Sequence, residues 1–262
     1  MAGFFSLVRE APNKYTKIRN FLVYLQLDMF LFGSKVSFLG ADVLRGWTDW
    51  HSHILPGVDD GVRTLEEALA ALAWYEEQGV QEVWLTPHIM EDMPNETGVL
   101  RERFAALCAA YSGPVGLHLA AEHMLDPLFA ERLSAGDVLP YGDSGVLLVE
   151  TSYFNPPMDL DGLLEEIRSK GFKPLLAHPE RYVYMQMADY KRLASAGVAF
   201  QLNLPSLVGA YGEPVRRKAL DLLCGGYYYR TGSDLHRLSH FSAAMQQKAL
   251  PSKSLPSLSA IL

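Results

Sequence analysis

Only two cysteines, Cys108 and Cys224, occur in the 262 residues. Neither lies in a CxxC or CxxxxxR pattern, so a phosphatase with a thiol nucleophile is disfavoured. Each sits among small apolar residues in a helical pattern, FAALCAA and ALDLLCGG, and reads as a buried reduced thiol. The lack of a disulfide pattern fits the cytoplasm. No block of Lys or Arg is present and the formal net charge is −7, which disfavours a nucleic-acid partner. No apolar run approaches the ~20 residues that a spanning helix needs. The run at 21–27 is cut by Asp28, and Met29-Phe30-Leu31-Phe32 is closed by Gly33. Arg9, Lys14, Lys17 and Arg19 precede the first run as in a signal peptide, but no clear small-x-small cleavage site follows it. The expectation is a cytoplasmic chain without stable membrane insertion.

What the chain does hold is apolar material: 49% of its residues, enough for one sizeable core rather than two small ones. Strand-like runs recur at 47–53, 82–88, 116–123, 145–151, 173–181, 198–203 and 227–236. Several are nearly continuous in apolar residues, as parallel strands covered on both faces should be. Between them lie helical patterns. Thr64-Leu65-Glu66-Glu67 reads as a capping box, with Leu65, Ala68, Leu69 and Leu72 as its apolar stripe and Gly79 as its stop. The segments 100–111, 160–171, 189–197 and 212–226 repeat the scheme. Strand, helix, glycine, strand predicts an α/β fold with right-handed parallel crossovers.

The chemistry-bearing residues choose between an open sheet and a closed barrel. His51, His53, Asp60, His88, Glu122, Glu150, His178, Asp234 and His236 fall mostly at the ends of these runs. From His53 the steps are 35 residues to His88, 34 to Glu122, 28 to Glu150, 28 to His178 and 56 to Asp234. An open sheet draws its site from two or three strands at a switch point, whereas a barrel gathers all its strand ends at one mouth. Six of the seven runs contribute here, so the spacing predicts a seven-stranded (β/α) barrel over 46–262, preceded by an N-terminal extension, 1–45.

His51 and His53 are related i to i+2, on one face of a strand, and Asp234 and His236 repeat the relation. Gly57 and Gly61 let a tight loop carry Asp59 and Asp60 back to the strand end, one as a ligand and the other orienting a histidine. Glu122 and Glu150 end apolar runs, where a carboxylate is costly unless it is paired, metal-bound or solvated. Mixed imidazole and carboxylate donors suit Mn²⁺, Fe²⁺ or Zn²⁺, and nine are too many for one ion. Two or three divalent ions that bind phosphate oxygens and lower the pKa of a water are the expectation. Arg181, just after His178-Pro179-Glu180, is either a phosphate clamp or a rim partner of Glu180. Arg237 is a second candidate for the clamp. Trp50, Tyr153, Phe154, Tyr182 and Tyr184 are expected to ring the mouth, either as packing or, for Tyr153 and Phe154 above all, to seat a phenol.

Taken in order, HSHILPGVDDG, LTPH, AEH, VETSY, LAHPERY and SDLH resemble the bacterial polymerase-and-histidinol-phosphatase (PHP) protein tyrosine phosphatases of capsule and exopolysaccharide loci. The likeness runs from about Gly46 to about Arg237. It implies a distorted seven-stranded TIM-like barrel (the PHP fold) with up to three divalent ions, commonly manganese. It matches all nine residues above to metal positions, taking Asp60 as the ligand of the aspartate pair, and Arg181 to the phosphate-binding arginine. It implies hydrolysis of phosphotyrosine by metal-activated hydroxide, with a tyrosine kinase tail of the capsule system as partner. Where some relatives carry a basic residue after the LTPH-type histidine, Ile89 and Met90 stand here. Relatives tend to begin with a stretch similar to Met29-Phe30-Leu31-Phe32-Gly33, which makes 1–28 dispensable. A histidinol-phosphatase-like small-molecule enzyme, a nuclease-like phosphodiesterase and a non-catalytic metal scaffold are the competing expectations; an oligomer is compatible with all of them.

Overall fold

The computed structural model describes residues 34–262. The apolar runs at 21–27 and 29–32, the basic residues before them and the expected start at Met29 lie outside the described residues. The strands are β1 (Lys35–Val36), β2 (Thr48–Ser52), β3 (Glu82–Leu85), β4 (His88–Ile89), β5 (Gly116–Leu119), β6 (Glu122–Met124), β7 (Val146–Glu150), β8 (Lys173–Ala177), β9 (Ala199–Asn203), β10 (Tyr228–Gly232) and β11 (Leu250–Pro251). Six of them form a sheet in the order β10-β9-β8-β7-β6-β4, and a second sheet runs β2-β3-β5. Every pair in these two sheets is parallel. β1 and β11 make a separate antiparallel pair. The fold is therefore α/β with parallel sheets.

Two of the expected strands are broken. The run 82–88 divides at Thr86-Pro87, and 116–123 divides at Ala120-Ala121. Pro87 has no N–H to give to a ladder, so the strand cannot run through it. The first halves, β3 and β5, pair in the small sheet, and the second halves, β4 and β6, in the large one. Across the break, Ala120 N donates to Leu85 O at 3.0 Å and Glu122 N to Pro87 O at 3.1 Å. On the other side the sheets meet through a parallel bridge between Ser52 and Leu235. His53 N donates there to Leu235 O at 3.0 Å, and Asp234 N to His51 O at 2.7 Å. Buried Asp49 accepts from Ser233 N at 2.8 Å, Ser233 Oγ at 2.6 Å and Tyr75 Oη at 2.5 Å, tying β2 to the end of β10. Burial pushes its carboxyl up to about 6, against these hydrogen bonds.

The strands alternate, and the alternation decides where the polar residues go. In β7, Leu147 and Val149 join the main core, while Val146 and Leu148 join a smaller cluster with Leu175 and Ala177 of β8 and Ala199 of β9. Glu150 continues the Val146–Leu148 face, and Gln201 and Asn203 continue that of Ala199. Polar groups thus collect beyond one end of the small cluster.

The helices are α1 (Leu65–Gln78), α2 (Thr97–Ala110), α3 (Pro127–Ala135), α4 (Leu160–Ser169), α5 (Met187–Ser195), α6 (Leu204–Leu207), α7 (Glu213–Cys224), α8 (Leu238–Gln246) and α9 (Leu255–Ser259). Thr64 Oγ1 accepts from Glu67 N, but the Glu67 carboxylate reaches past the cap to Arg63 N at 2.9 Å. Leu65, in the first turn, stays exposed, so the buried stripe of α1 runs Ala68, Ala71, Leu72, Tyr75. α3, α6, α8 and α9 are additions to the expected helices. The buried-thiol expectation fails: Cys108 and Cys224 are both exposed, because Leu107 and Leu223, one residue before each, take the inward positions on α2 and α7. Among the described residues no helix is long and apolar enough to cross a membrane.

Candidate metal centre

β2 delivers His51 and, one residue past its end, His53, both fully buried. The chain after β2 folds straight back: Val62 N donates to His53 O at 3.0 Å, and a Cβ on Gly61 would stand 2.3 Å from that oxygen. Only a glycine allows so close a return. β4, β6 and β7 bring His88, Glu122 and Glu150 to the same region, and His178 follows β8. β10 stops at Gly232, so Asp234 and His236 are not an i, i+2 pair on a strand as expected. Asp234 has φ 52° and His178 has φ 32°. Non-glycine residues held at positive φ are strained, and such strain collects at functional sites.

Three donor groups result, each with its atoms within 4.8 Å of one another: His51, His53, Glu122 and Asp234; His88, Glu122 and Glu150; His53, Asp60, His88 and His236. In the first, His51 Nε2 lies 3.1 Å from both His53 Nε2 and Glu122 Oε2. In the second, His88 Nδ1 lies 3.2 Å from Glu122 Oε2 and Glu150 Oε1. In the third, Asp60 Oδ1 is 3.2 Å from His236 Nε2 and 3.6 Å from His88 Nε2. Glu122, His88 and His53 each belong to two groups. His178 stands beside them, its Nε2 3.0 Å from Glu122 Oε1 and 3.8 Å from Glu150 Oε2.

These residues fit divalent cations by chemistry and by satisfaction. Two buried imidazole nitrogens facing each other at 3.1 Å need a cation or a proton between them and the carboxylates. His178 Nδ1 is buried without a hydrogen-bond partner, which polar atoms rarely are. The outward nitrogens of the first group are fixed. His51 Nδ1 faces Gln201 Oε1 at 2.9 Å, and Gln201 Nε2 donates to Leu202 O, so the amide oxygen must accept from His51. His53 Nδ1 faces Asp59 Oδ2 at 2.8 Å. Both Nε2 lone pairs then point inward, the usual arrangement around a metal-binding histidine. His123, next to Glu122, is the contrast: it turns into the core, Nδ1 toward Leu148 O and Nε2 accepting from Leu139 N, and burial lowers it to about 4.

Without cations the histidines balance the acids. Burial opposes the charge on His51, but Glu122 and Asp234 outweigh it and raise the imidazole to about 9. Burial likewise works against Glu122, yet His51 and His88 hold it well below the usual carboxylate range. Asp60 is lowered to about 2, chiefly by its hydrogen bond to His236. An imidazole whose pKa rises from 6.5 to about 9 on folding stabilises the metal-free fold fully below pH 6.5 and loses that contribution as pH climbs through 9. Chelated protein is therefore expected to lose melting temperature between pH 7 and 9.5, while metal affinity rises over the same range because protons no longer compete. A flat melting temperature across this window would contradict the assignment.

Beside the groups lies a cavity of about 650 Å³ lined by Asp60, His88, Tyr153, Arg181, Tyr211 and His236, among others. The Arg181 guanidinium sits between two rings, 4.2 Å from the centroid of Tyr153 and 4.4 Å from that of Tyr211. Its partner is not Glu180: Nη1 bonds Asp234 Oδ2 at 2.7 Å. Glu180 is buried elsewhere, accepting from Ser206, Tyr228 and the Asn203 amide. Arg237 is exposed at the start of α8 and lines the same cavity.

The expected aromatic ring is only partly present. Tyr153 stands at the cavity, whereas Phe154, 69% exposed, points to solvent and does not line it. Trp50 packs against the small cluster, stacked on Trp84 and covered by Arg230. Tyr182 is buried, its hydroxyl donating to Ala177 O, and Tyr184 bonds Thr151. Three contributors escaped the sequence reading. Gln201 and Asn203, whose Nδ2 holds Asp234 Oδ2 at 2.9 Å, come from β9, in the one predicted run, 198–203, without acid or histidine. Asn95 holds the His88 carbonyl at 2.9 Å. The alternation Ala199, Gln201, Asn203 was the available signal. A Cβ on Gly232 would stand 2.5 Å from His51 Cβ and 2.7 Å from Gln201 Nε2. Gly232→Ala is expected to cost about 1–3 kcal/mol by overpacking and to lower metal content, read by thermal unfolding and metal analysis.

Comparison with known proteins bears on the fold and the family. The chain is 26% identical to the tyrosine-protein phosphatase YwqE of Bacillus subtilis over 72% of its length and 77% of that protein. It is 28% identical to the tyrosine-protein phosphatase CpsB of Streptococcus pneumoniae, covering 76% of this chain and 86% of that one. A solved structure from work on YwqE of Bacillus subtilis and CpsB of Streptococcus pneumoniae, described as unique metal-dependent tyrosine phosphatases, superposes with a TM-score of 0.70. It covers 81% of this chain and 85% of its own, at 22% identity, and so supports the fold. Residues 47–251 match the model of the capsular polysaccharide synthesis family CpsB/CapC, and the chain belongs to that family.

Proposed function

We propose that this protein is a metal-dependent protein-tyrosine-phosphatase, a phosphoric monoester hydrolase that removes phosphate from phosphotyrosine in proteins. The carrying observation is three donor groups joined through His53, His88 and Glu122, opening beside a guanidinium held between two tyrosine rings. Two or three divalent ions bound by the nine residues, manganese first and iron or zinc as alternatives, supply Lewis acidity and lower the pKa of water toward neutrality. Arg181 binds phosphate oxygens, and the flanking rings keep its plane fixed. Tyr153 seats the phenol ring, and Arg237 adds positive charge at the rim. Burial raises the Tyr153 and Tyr211 hydroxyls far above the working range, so both rings stay neutral. A phenol leaving group, with a pKa of about 10, departs with little help from a general acid. That suits a site whose Asp60 is held ionised.

The names of the relatives support phosphotyrosine, and the family description supports capsular polysaccharide synthesis. The substrate in this reading is the tail of a tyrosine kinase in the cytoplasm, acting in capsule or exopolysaccharide synthesis. Residues 46–262 are read as one domain, a distorted seven-stranded barrel if β3–β4 and β5–β6 each count as one strand. The Ser52–Leu235 bridge supports that reading. A chain beginning at Met29 is expected to retain full activity.

The deciding experiment compares a phosphotyrosine peptide with histidinol phosphate after chelation and add-back of Mn²⁺, Zn²⁺ or Mg²⁺. Turnover of the peptide restored best by Mn²⁺ is the expected result. Preference for histidinol phosphate would assign a small-molecule phosphatase, and two or three bound metals without turnover of either would assign a scaffold.

A further inference from the structure

Among the described residues seven large hydrophobic side chains are exposed, and four of them, Phe154, Met158, Val183 and Met187, lie in two segments beside the catalytic cavity. The segments are joined: Val183 N donates to Tyr153 O at 2.9 Å. Between them runs an open groove of about 270 Å³, with Pro156, Pro157, Met158 and Tyr184 on its apolar wall. Its charged lining is three aspartates, Asp159, Asp161 and Asp189, against one arginine, Arg192. Arg192 is already engaged by Asp161, with Asp189 at 3.9 Å. Asp159 and Asp189 each accept a local backbone amide, from Gly162 and Gln186. The groove is thus apolar along one side and net acidic.

It also lies close to the catalytic cavity along the chain. Tyr184 follows Arg181 by three residues, at most about 10 Å of chain. The rings of Tyr153, Tyr182 and Tyr184 stack in sequence, at 6.2 and 5.7 Å, from the cavity to the groove. A polypeptide whose phosphotyrosine enters the cavity passes over this wall within a few residues. Exposed apolar side chains placed together mark an interaction site, and an acidic lining selects its opposite charge.

We infer that this groove is the specificity subsite for the substrate polypeptide, taking a segment with a Lys or Arg beside an apolar residue three or four positions from the phosphotyrosine. This rests on the proposed phosphatase reading. It explains how a chain of net charge −7 retains a polypeptide that carries phosphate. The subsite grips the flanking residues, while the cavity alone handles the aryl phosphate.

The test uses the metal-loaded full chain, p-nitrophenyl phosphate, and two phosphotyrosine peptides differing only in Lys-Leu or Glu-Ser at those positions. The expected result is a kcat/KM about tenfold higher for the Lys-Leu peptide, carried mainly by KM. The double variant Met158→Ser with Asp161→Lys should erase that preference and leave p-nitrophenyl phosphate turnover unchanged; both side chains are exposed, so folding is spared. Equal use of both peptides by the unaltered protein overturns the subsite alone. A preference that survives in the variant does the same. Absence of turnover on every phosphotyrosine substrate overturns the parent reading and the subsite with it. A dimer in solution that this variant dissociates would assign the groove to a second copy instead.

Discussion

Glu122→Gln is expected to reduce turnover to background and strip the protein of most of its metal. Glu122 belongs to two of the three donor groups and lies within 3.3 Å of nitrogens from His51, His53, His88 and His178. An amide offers one neutral oxygen where the carboxylate offers two charged ones, and it cannot bridge cations. In the metal-free protein the change also leaves buried, protonated imidazoles without their main counter-charge. Removing one partner of a buried charged set costs about 3–5 kcal/mol, so the chelated variant should melt well below chelated wild type. Metal analysis and thermal unfolding of both forms check this. A Glu122→Gln protein that holds its full metal complement would show that the centre is organised around some other residue.

The second large effect separates phosphate binding from metal binding. Arg181→Ala is expected to lower kcat by about 10²–10³, the cost of losing one preorganised donor to developing charge, or ~2.7–4 kcal/mol. Metal content should stay close to wild type, because Asp234 keeps its hydrogen bond from Asn203 and its place in the first donor group. Arg181→Lys should recover little: a lysine restores the charge but cannot lie flat between Tyr153 and Tyr211 or bind phosphate through two parallel N–H groups. Loss of metal in Arg181→Ala would instead make its bond to Asp234 the essential one, and Arg181 a positioning residue.

Much of this site was legible along the chain for reasons that act locally. A histidine or acid at the end of an apolar run marks a strand terminus, and parallel strands joined by helices bring their carboxyl ends to one side. Caps such as Thr64 and Gly79 need only nearest neighbours, and both are found where the pattern puts them. The same local rules went astray where a distant group competes. Leu65 fits the stripe of α1, yet the helix begins beyond the surface it covers. Cys108 and Cys224 fit apolar surroundings, but the core takes the residue before each.

The sequence by itself determined the α/β repeat and put forward the nine candidate donors, whose mixed imidazole and carboxylate chemistry suits a divalent cation. These follow from side-chain alternation and spacing, which a linear pattern carries. Only the tertiary structure decided how the donors group: which atoms share Glu122, that Asp59 turns to His53 while Asp60 turns to His236, and that Arg181 answers Asp234 rather than Glu180. It also drew Gln201 and Asn203 into the centre from a strand with no acid or histidine, and sent Trp50 to the other end of the small cluster. The physical reason is register. Strand breaks at Thr86-Pro87 and Ala120-Ala121, and the positive φ of His178 and Asp234, set which atoms meet across strands. Such contacts depend on residues tens to hundreds of positions apart, and no spacing along one chain encodes them.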